Sequence, residues 1–243
     1  MLPPMTDDTQ AFSTAPDPAR TAEGSAAGEK TRANLLRVAL DLFGRKGYDA
    51  TSTRDISGAA GVNIAGIAYH FGGKAGLHRA CGELVASFMG ERLATLVAGD
   101  PAADAALTPE EAAERFEAAI CGFARFVLAR SEVEAIARFM VREQMDPSPT
   151  FEILYGGLIE PRHRRLCRLW GRATGEDPDG EEVIITVSAL FGQVMFFRVG
   201  RATALRRLGW STIDEGNVDK IVAAVREATR AVLAVHRAGK GEI

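Results

Sequence analysis

The sequence predicts an all-α protein of about nine helices. A small N-terminal unit of three helices, built as a helix-turn-helix, precedes a larger helical body. Three observations carry that expectation. Apolar residues recur at three- and four-residue steps, and nowhere does strict apolar–polar alternation run for more than a few residues. Hydrophobic residues make up 47% of the 243, much of that Ala, Leu and Val, while aromatics are only 7%. That balance suits helices better than packed sheets. Gly, Pro and Asn fall between the periodic stretches rather than inside them.

Residues 1–28 mix Pro3, Pro4, Pro16 and Pro18 with Gly, Ser, Thr and Asp, and Phe12 is their only aromatic. Such a stretch cannot bury enough surface to offset its ordering entropy, so it is predicted to be a disordered tail. Leu35, Leu36, Ala39, Leu40 and Phe43 then form one apolar helical face, and Gly47 stands where a left-handed terminator is needed. Ser52 followed by Asp55 is a capping-box pattern, which opens a short helix from about Thr53 to Ala60. Gly61-Val62-Asn63 makes a turn, with Asn63 as N-cap of a second short helix from Ile64 to about His70. Gly72-Gly73 breaks the chain, and a longer helix begins near Lys74. Two short helices joined so tightly, after one amphipathic helix, are a helix-turn-helix unit spanning residues 29–80.

Residues 81–243 read as a helical body. Pro101 and Thr108-Pro109 open a segment reaching about Arg130, and residues 132–145 form the next helix. Another runs from about Thr150 to Arg172, bent near Gly156-Gly157 and Pro161. A long, mostly apolar helix follows from Glu181 to Leu208, and Val218 to about Arg237 is the last.

Several classes are excluded. The apolar run Val183–Phe197 spans 15 residues and contains Gln193, which fits a buried helix better than a membrane span. The N-terminus has neither the basic nor the apolar region of a signal peptide. Cys81, Cys121 and Cys167 are too far apart for a disulfide framework or a metal knuckle, which points to a reducing cytoplasm. No histidine pair has metal-binding spacing, so no metal or cofactor is expected, and His78 and His236 read as exposed helix positions. Gly72-Gly73-Lys74 lacks the rest of a phosphate-binding loop, residues 177–182 lack the calcium-loop spacing, and no nucleophile elbow is present.

The whole-chain net charge of −3 conceals a division. Residues 1–28 carry net −3, residues 29–80 carry net +4, and the remainder carries net −4. The positive field is confined to the helix-turn-helix segment, as a phosphate-binding face requires. Within it Ala65, Gly66 and Ala68 are small enough for close approach to a groove floor, and Tyr69 and His70 are able to reach phosphates.

Thr51 to Phe71, TSTRDISGAAGVNIAGIAYHF, resembles the DNA-binding domain of the TetR/AcrR family of bacterial regulators. Thr51-Ser52, Ile56, Ala60-Gly61-Val62, Tyr69, Phe71 and Lys74-x-x-Leu77 carry the match over about residues 30–80. The second half resembles the CecR-like subgroup through Arg142-Glu143-Gln144-x-Asp146-Pro147-x-Pro149, Gly192-Gln193-x-x-x-Phe197-Arg198 and Arg206-Arg207-Leu208-Gly209-Trp210. The resemblance implies a ligand-responsive transcriptional regulator rather than an enzyme, a repressor released from a pseudo-palindromic operator by a small molecule. By the same resemblance Thr51 and Thr53 would donate to phosphates, Arg54 would reach phosphate or a base edge, and Asn63, Ile64, Ala65, Gly66 and Ile67 would face the major groove. Tyr69, His70 and Lys74 would hold the backbone. Ile56, Val62 and Phe71 read as core, and one of Ile64 and Ile67 is also open to packing inward.

The candidate effector pocket draws on Phe123, Phe126, Phe139, Met140, Arg142, Glu143, Phe151, Tyr155, Trp170, Gln193 and Phe197: mostly apolar groups with a few polar ones. Plain core is the competing assignment for each aromatic. One recognition helix is too little for a tight operator, so double-stranded DNA implies a homodimer. Ser188, Gly192, Gly200 and Ala204, with Phe196, form a ridge suited to close helix packing, and the last helix offers Val222, Val225 and Val232. These faces could equally pack within one subunit.

Overall fold

A computed structural model describes residues 18–96, 101–129 and 133–238. All regular structure among them is helical. The elements are α1 (Pro18–Lys46), α2 (Thr53–Ala60), α3 (Ala65–Phe71), α4 (Lys74–Leu96), α5 (Pro101–Ala105), α6 (Pro109–Ala129), α7 (Val133–Met145), α8 (Pro149–Leu154), a π-helical turn (Tyr155–Ile159), α9 (Glu160–Thr174), α10 (Glu181–Val199), α11 (Arg201–Leu208) and α12 (Glu215–Ala238).

The excess over nine helices has three local origins. The long segment after Ser148 is interrupted by the π turn. The segment after Gly180 breaks at Gly200. The short α5 is fixed from outside itself, because Asp104 is buried and paired with Arg165 on α9 at 2.6 Å and Arg115 on α6 at 3.1 Å. Residues 18–28 of the expected tail continue α1, and residues 1–17 lie outside the described residues.

Ends form where local chemistry predicts them. Ser52 Oγ accepts from the Asp55 N–H at 3.0 Å, and Asp55 Oδ2 accepts from the Ser52 N–H at 3.0 Å. Those bonds, aided by Lys46 at 3.9 Å, hold the Asp55 carboxyl below its usual range. Gly61 closes α2 at φ 66°, a conformation that favours glycine. Asn63 Oδ1 accepts from the Ala65 N–H at 2.9 Å and so caps α3.

Two apolar cores organise the helices. The first gathers Leu35, Phe43, Ile56, Ile67 and Leu77 with Phe139 and Leu154. It joins α1–α4 to α7 and α8. The second packs α6, α9, α10 and α12 around Trp170, whose ring meets Phe116 edge-on at 5.2 Å. Because α4 runs unbroken through residue 80 and the first core extends to Leu158, the helix-turn-helix unit shares its core with part of the body. Phe123 packs against both cores.

Candidate nucleic-acid interface and effector cavity

The helix-turn-helix presents one face of α3 outward. Tyr69 is 85% exposed and Ile64 45%, and Asn63, Ala65 and Ala68 are exposed beside them. Gly66 and His70 are half-buried along the same edge. Arg54 is exposed at the start of α2, next to half-buried Thr53. Lys74 lies with its Nζ 4.2 Å from the Tyr48 ring centroid and 3.5 Å from the Asp49 carbonyl, so its charge is held at the first turn of α4. Arg32 on α1, stacked 5.2 Å over Phe71, adds a cation beside the end of α3. Nothing local in the sequence singles it out, because Phe71 is far from it along the chain.

Two expected contacts are corrected. Ile67 is 1% exposed and belongs to the first core, leaving Ile64 as the outward isoleucine. Thr51 is fully buried, and its hydroxyl donates to the Gly47 carbonyl at 2.7 Å. It ties the α1–α2 loop rather than facing phosphate. Gly47 itself has φ 83°, and a Cβ there would come within 2.5 Å of the Arg142 guanidinium.

A cavity of about 470 Å³ opens between α4, α6, α7, the π turn, α9 and α10. Met140 lines it, as does Phe123. The rest of the expected pocket set does not. Phe126, Phe139 and Trp170 are core residues, and Phe151 and Tyr155 stack on each other at 5.9 Å. Arg142 is exposed and donates to the Lys46 carbonyl at 3.3 Å. Phe197 packs on Phe196 at 5.5 Å, and Gln193 is half-buried with an Nε2 that has no partner among the described residues. Gln144, Arg162, His163 and Ser188 are the polar lining, which sequence patterning did not reveal. Arg162 sits in the run Arg162-His163-Arg164-Arg165, where periodicity does not say which side chain turns inward.

Glu143 and His78 form a buried pair instead of a ligand contact. His78 was expected to be exposed. Its Nε2 lies 3.3 Å from Glu143 Oε1, and Glu143 Oε2 accepts from Ser148 Oγ at 2.7 Å. Burial, and after it the Lys74 charge, pushes the His78 imidazole down to about 4. The neutral ring donates to Glu143 and accepts at Nδ1 from the Thr150 hydroxyl at 2.8 Å. His236 is half-buried against Glu176 at 2.8 Å rather than exposed.

α7 thus has two faces. Ile136, Ala137 and Met140 line the cavity, while Arg138 reaches Asp41 on α1 at 2.8 Å and Glu143 reaches His78 on α4. Arg162 ties the π turn to α4 by donating to the Gly90 carbonyl at 3.0 Å.

The expected dimer residues divide. Val222, Val225 and Ala204 are buried inside the subunit, and Val232 packs on the second core. Phe196 is 52% exposed, and Ser188 and Gly192 are exposed near the cavity mouth. Gly200 is half-buried against Phe196. α10 is not the buried helix the sequence suggested. It is long and apolar enough to cross a membrane by length and composition alone, and little of it is buried. Ile185, Ala189, Gly192, Phe196 and Val199 form an exposed stripe along it.

Residues 35–81 match the family model for bacterial regulatory proteins of the tetR family, and residues 112–235 match the C-terminal domain of the HTH-type transcriptional dual regulator CecR. The CecR regulator of Shigella flexneri is 34% identical over 195 residues, covering 80% of this chain and 87% of that one. The chain belongs to the TetR family, with a CecR-type C-terminal domain. As a member it is a DNA-binding transcriptional regulator. Solved structures agree in fold. AibR, crystallised with isovaleryl coenzyme A and operator DNA, superposes with a TM-score of 0.58 at 16% identity, covering 81% of this chain and 96% of its own. A putative fatty acid metabolism regulator of Clostridium perfringens gives 0.55 at 14% identity, covering 81% and 96%.

Proposed function

We propose that the protein is a homodimeric, cytoplasmic repressor, released from pseudo-palindromic operator DNA when a small molecule enters the 470 Å³ cavity. The observation that carries this reading is the sharing of α4 and α7 between the cavity wall and the first core. A ligand that prefers one arrangement of those helices shifts the population of reader positions by its differential affinity. AibR, crystallised with isovaleryl coenzyme A and operator DNA together, shows that this fold can take both a small molecule and DNA. At the reader, Thr53, Arg54, Tyr69, His70 and Lys74 hold phosphates, and Asn63, Ile64, Ala65 and Gly66 meet the major groove. Phosphate contacts set the register, base edges the sequence.

The exposed α10 stripe, with Ala224, Ala228, Ala231 and Val235 on α12, supplies the interface in this reading. Two helices from each subunit form a four-helix bundle that sets the spacing of the paired recognition helices. No enzymatic role is part of the reading. The test is a thermal-melt screen of the purified protein against a small-molecule panel, followed by fluorescence anisotropy on the upstream promoter fragment. A ligand that raises the melting temperature should weaken DNA binding. Ligands that bind the cavity yet leave DNA affinity unchanged would overturn the coupling.

A further inference from the structure

The cavity wall is electrostatically lopsided. Its aliphatic, Met and Phe side chains include Met89, Leu93, Met140 and Met195, and no Asp or Glu is among the lining residues. Arg162 is the one charged group there. Its Nη1 donates to the Leu158 carbonyl at 3.0 Å and, more weakly, to Gly157 at 3.5 Å, and its Nη2 donates to Gly90 at 3.0 Å. Among the described residues no carboxylate lies within 4 Å of it, and its Nε makes no hydrogen bond. Backbone carbonyls offer only partial charge, so a half-buried guanidinium is left without a counter-ion, a costly state in an apolar wall. Burial accordingly lowers its pKa.

Of the other polar lining groups, Gln144 is exposed on α7, while His163 and Ser188 are committed to each other. His163 Nε2 lies 3.1 Å from Ser188 Oγ, which itself donates to the Ile184 carbonyl at 2.7 Å. Burial holds the His163 ring neutral, and its Nδ1 faces Cys167 Sγ at 3.5 Å. That pair closes on itself and ties α9 to α10.

Resting on the reading of this cavity as the effector site, we infer that the effector is an apolar monocarboxylate whose head group pairs with Arg162. A carboxylate matches the Nε–Nη2 edge of a guanidinium in bidentate fashion. A cation would be repelled, a neutral molecule would leave the charge unpaired, and a single guanidinium is too little for a phosphate dianion. The polarizable Met side chains accept an aliphatic or aromatic body without demanding one shape. Binding also has a route to the reader. A carboxylate on Arg162 competes with the Gly90 carbonyl, the one tie from this side chain to α4.

Isothermal titration of the full-length protein with decanoate, 1-decanol and decylamine tests this. Decanoate is expected to bind at least tenfold more tightly than decanol, with decylamine weakest. Arg162→Gln is expected to reduce decanoate to the level of decanol, and Arg162→Lys to retain part of the preference. Because Arg162 also supports three carbonyls, Gln144→Glu is the second variant. It places an acid in the lining without touching those ties, and should weaken decanoate while leaving decanol unchanged. Decanol binding as well as decanoate would overturn the carboxylate assignment while leaving an effector cavity for neutral lipophiles. A decanoate preference that survives both Arg162→Gln and Gln144→Glu would place the anion elsewhere and overturn the role of Arg162. Failure of all three probes to bind overturns the inference, and the panel screen then judges the cavity separately.

Discussion

Ile64 and Ile67 stand three residues apart in one short helix and do opposite work. Ile67 fills the first core, so Ile67→Ala should cost about 2–5 kcal/mol of stability by removing buried methyl groups and leaving a cavity. Ile64→Ala should change stability by no more than about 0.5 kcal/mol, since surface truncations away from structural features are nearly neutral. Paired urea melts check both values, and equal losses would mean that the inward and outward faces of α3 are misassigned. The sequence could narrow the inward residue to this pair but not choose between them. A seven-residue helix has too few apolar positions for periodicity to fix its rotation. Thr51 is a similar case. Its hydroxyl finds an acceptor in Gly47, a partner supplied by the way the loop folds rather than by any motif.

At the scale of elements, ends were legible because their causes are local. Ser52 and Asp55 satisfy each other within four residues, and Ser52→Ala should lower stability by about 1 kcal/mol in a thermal melt. What escaped sequence reading depends on contacts distant in the chain: α5 held through Asp104, Arg162 tied across to Gly90 on α4, and His78 buried against Glu143. The last of these makes stability pH-dependent. His78 titrates near 6.5 when unfolded and about 4 when folded, so between those values the unfolded chain binds the extra proton. Stability from the neutral buried ring is therefore complete above about pH 6.5 and declines as pH falls toward 4. Chemical denaturation at pH 7.5, 6 and 5 should show that decline, and His78→Gln should flatten it. A wild-type profile level across this range would contradict the neutral assignment.

For the whole molecule, charge distribution and architecture were readable while the cavity was not. The basic segment 29–80 and the two-part helical plan follow from composition and periodicity. A cavity is a space between helices, and which aromatics border it depends on helix rotations that no single segment encodes. The expected dimer residues show the same limit. Val222 and Val225 satisfy the apolar pattern of α12 by facing inward, and the surplus apolar surface lies on α10. With Phe196 52% and Val199 62% exposed, Phe196→Arg should convert a dimer to a monomer in multi-angle light scattering at micromolar concentration. A wild type that is already monomeric there would sink the paired-reader geometry.

The central claim is that the outward face of α3 and the first turn of α4 hold DNA. Anisotropy titration of the upstream promoter fragment with Tyr69→Ala and Lys74→Ala, repeated across a salt series, tests it most directly. Each substitution should weaken binding by about 1 kcal/mol or more, roughly fivefold, and Lys74→Ala should reduce the salt slope by about one. Affinity and slope unchanged from wild type in both variants would contradict the account.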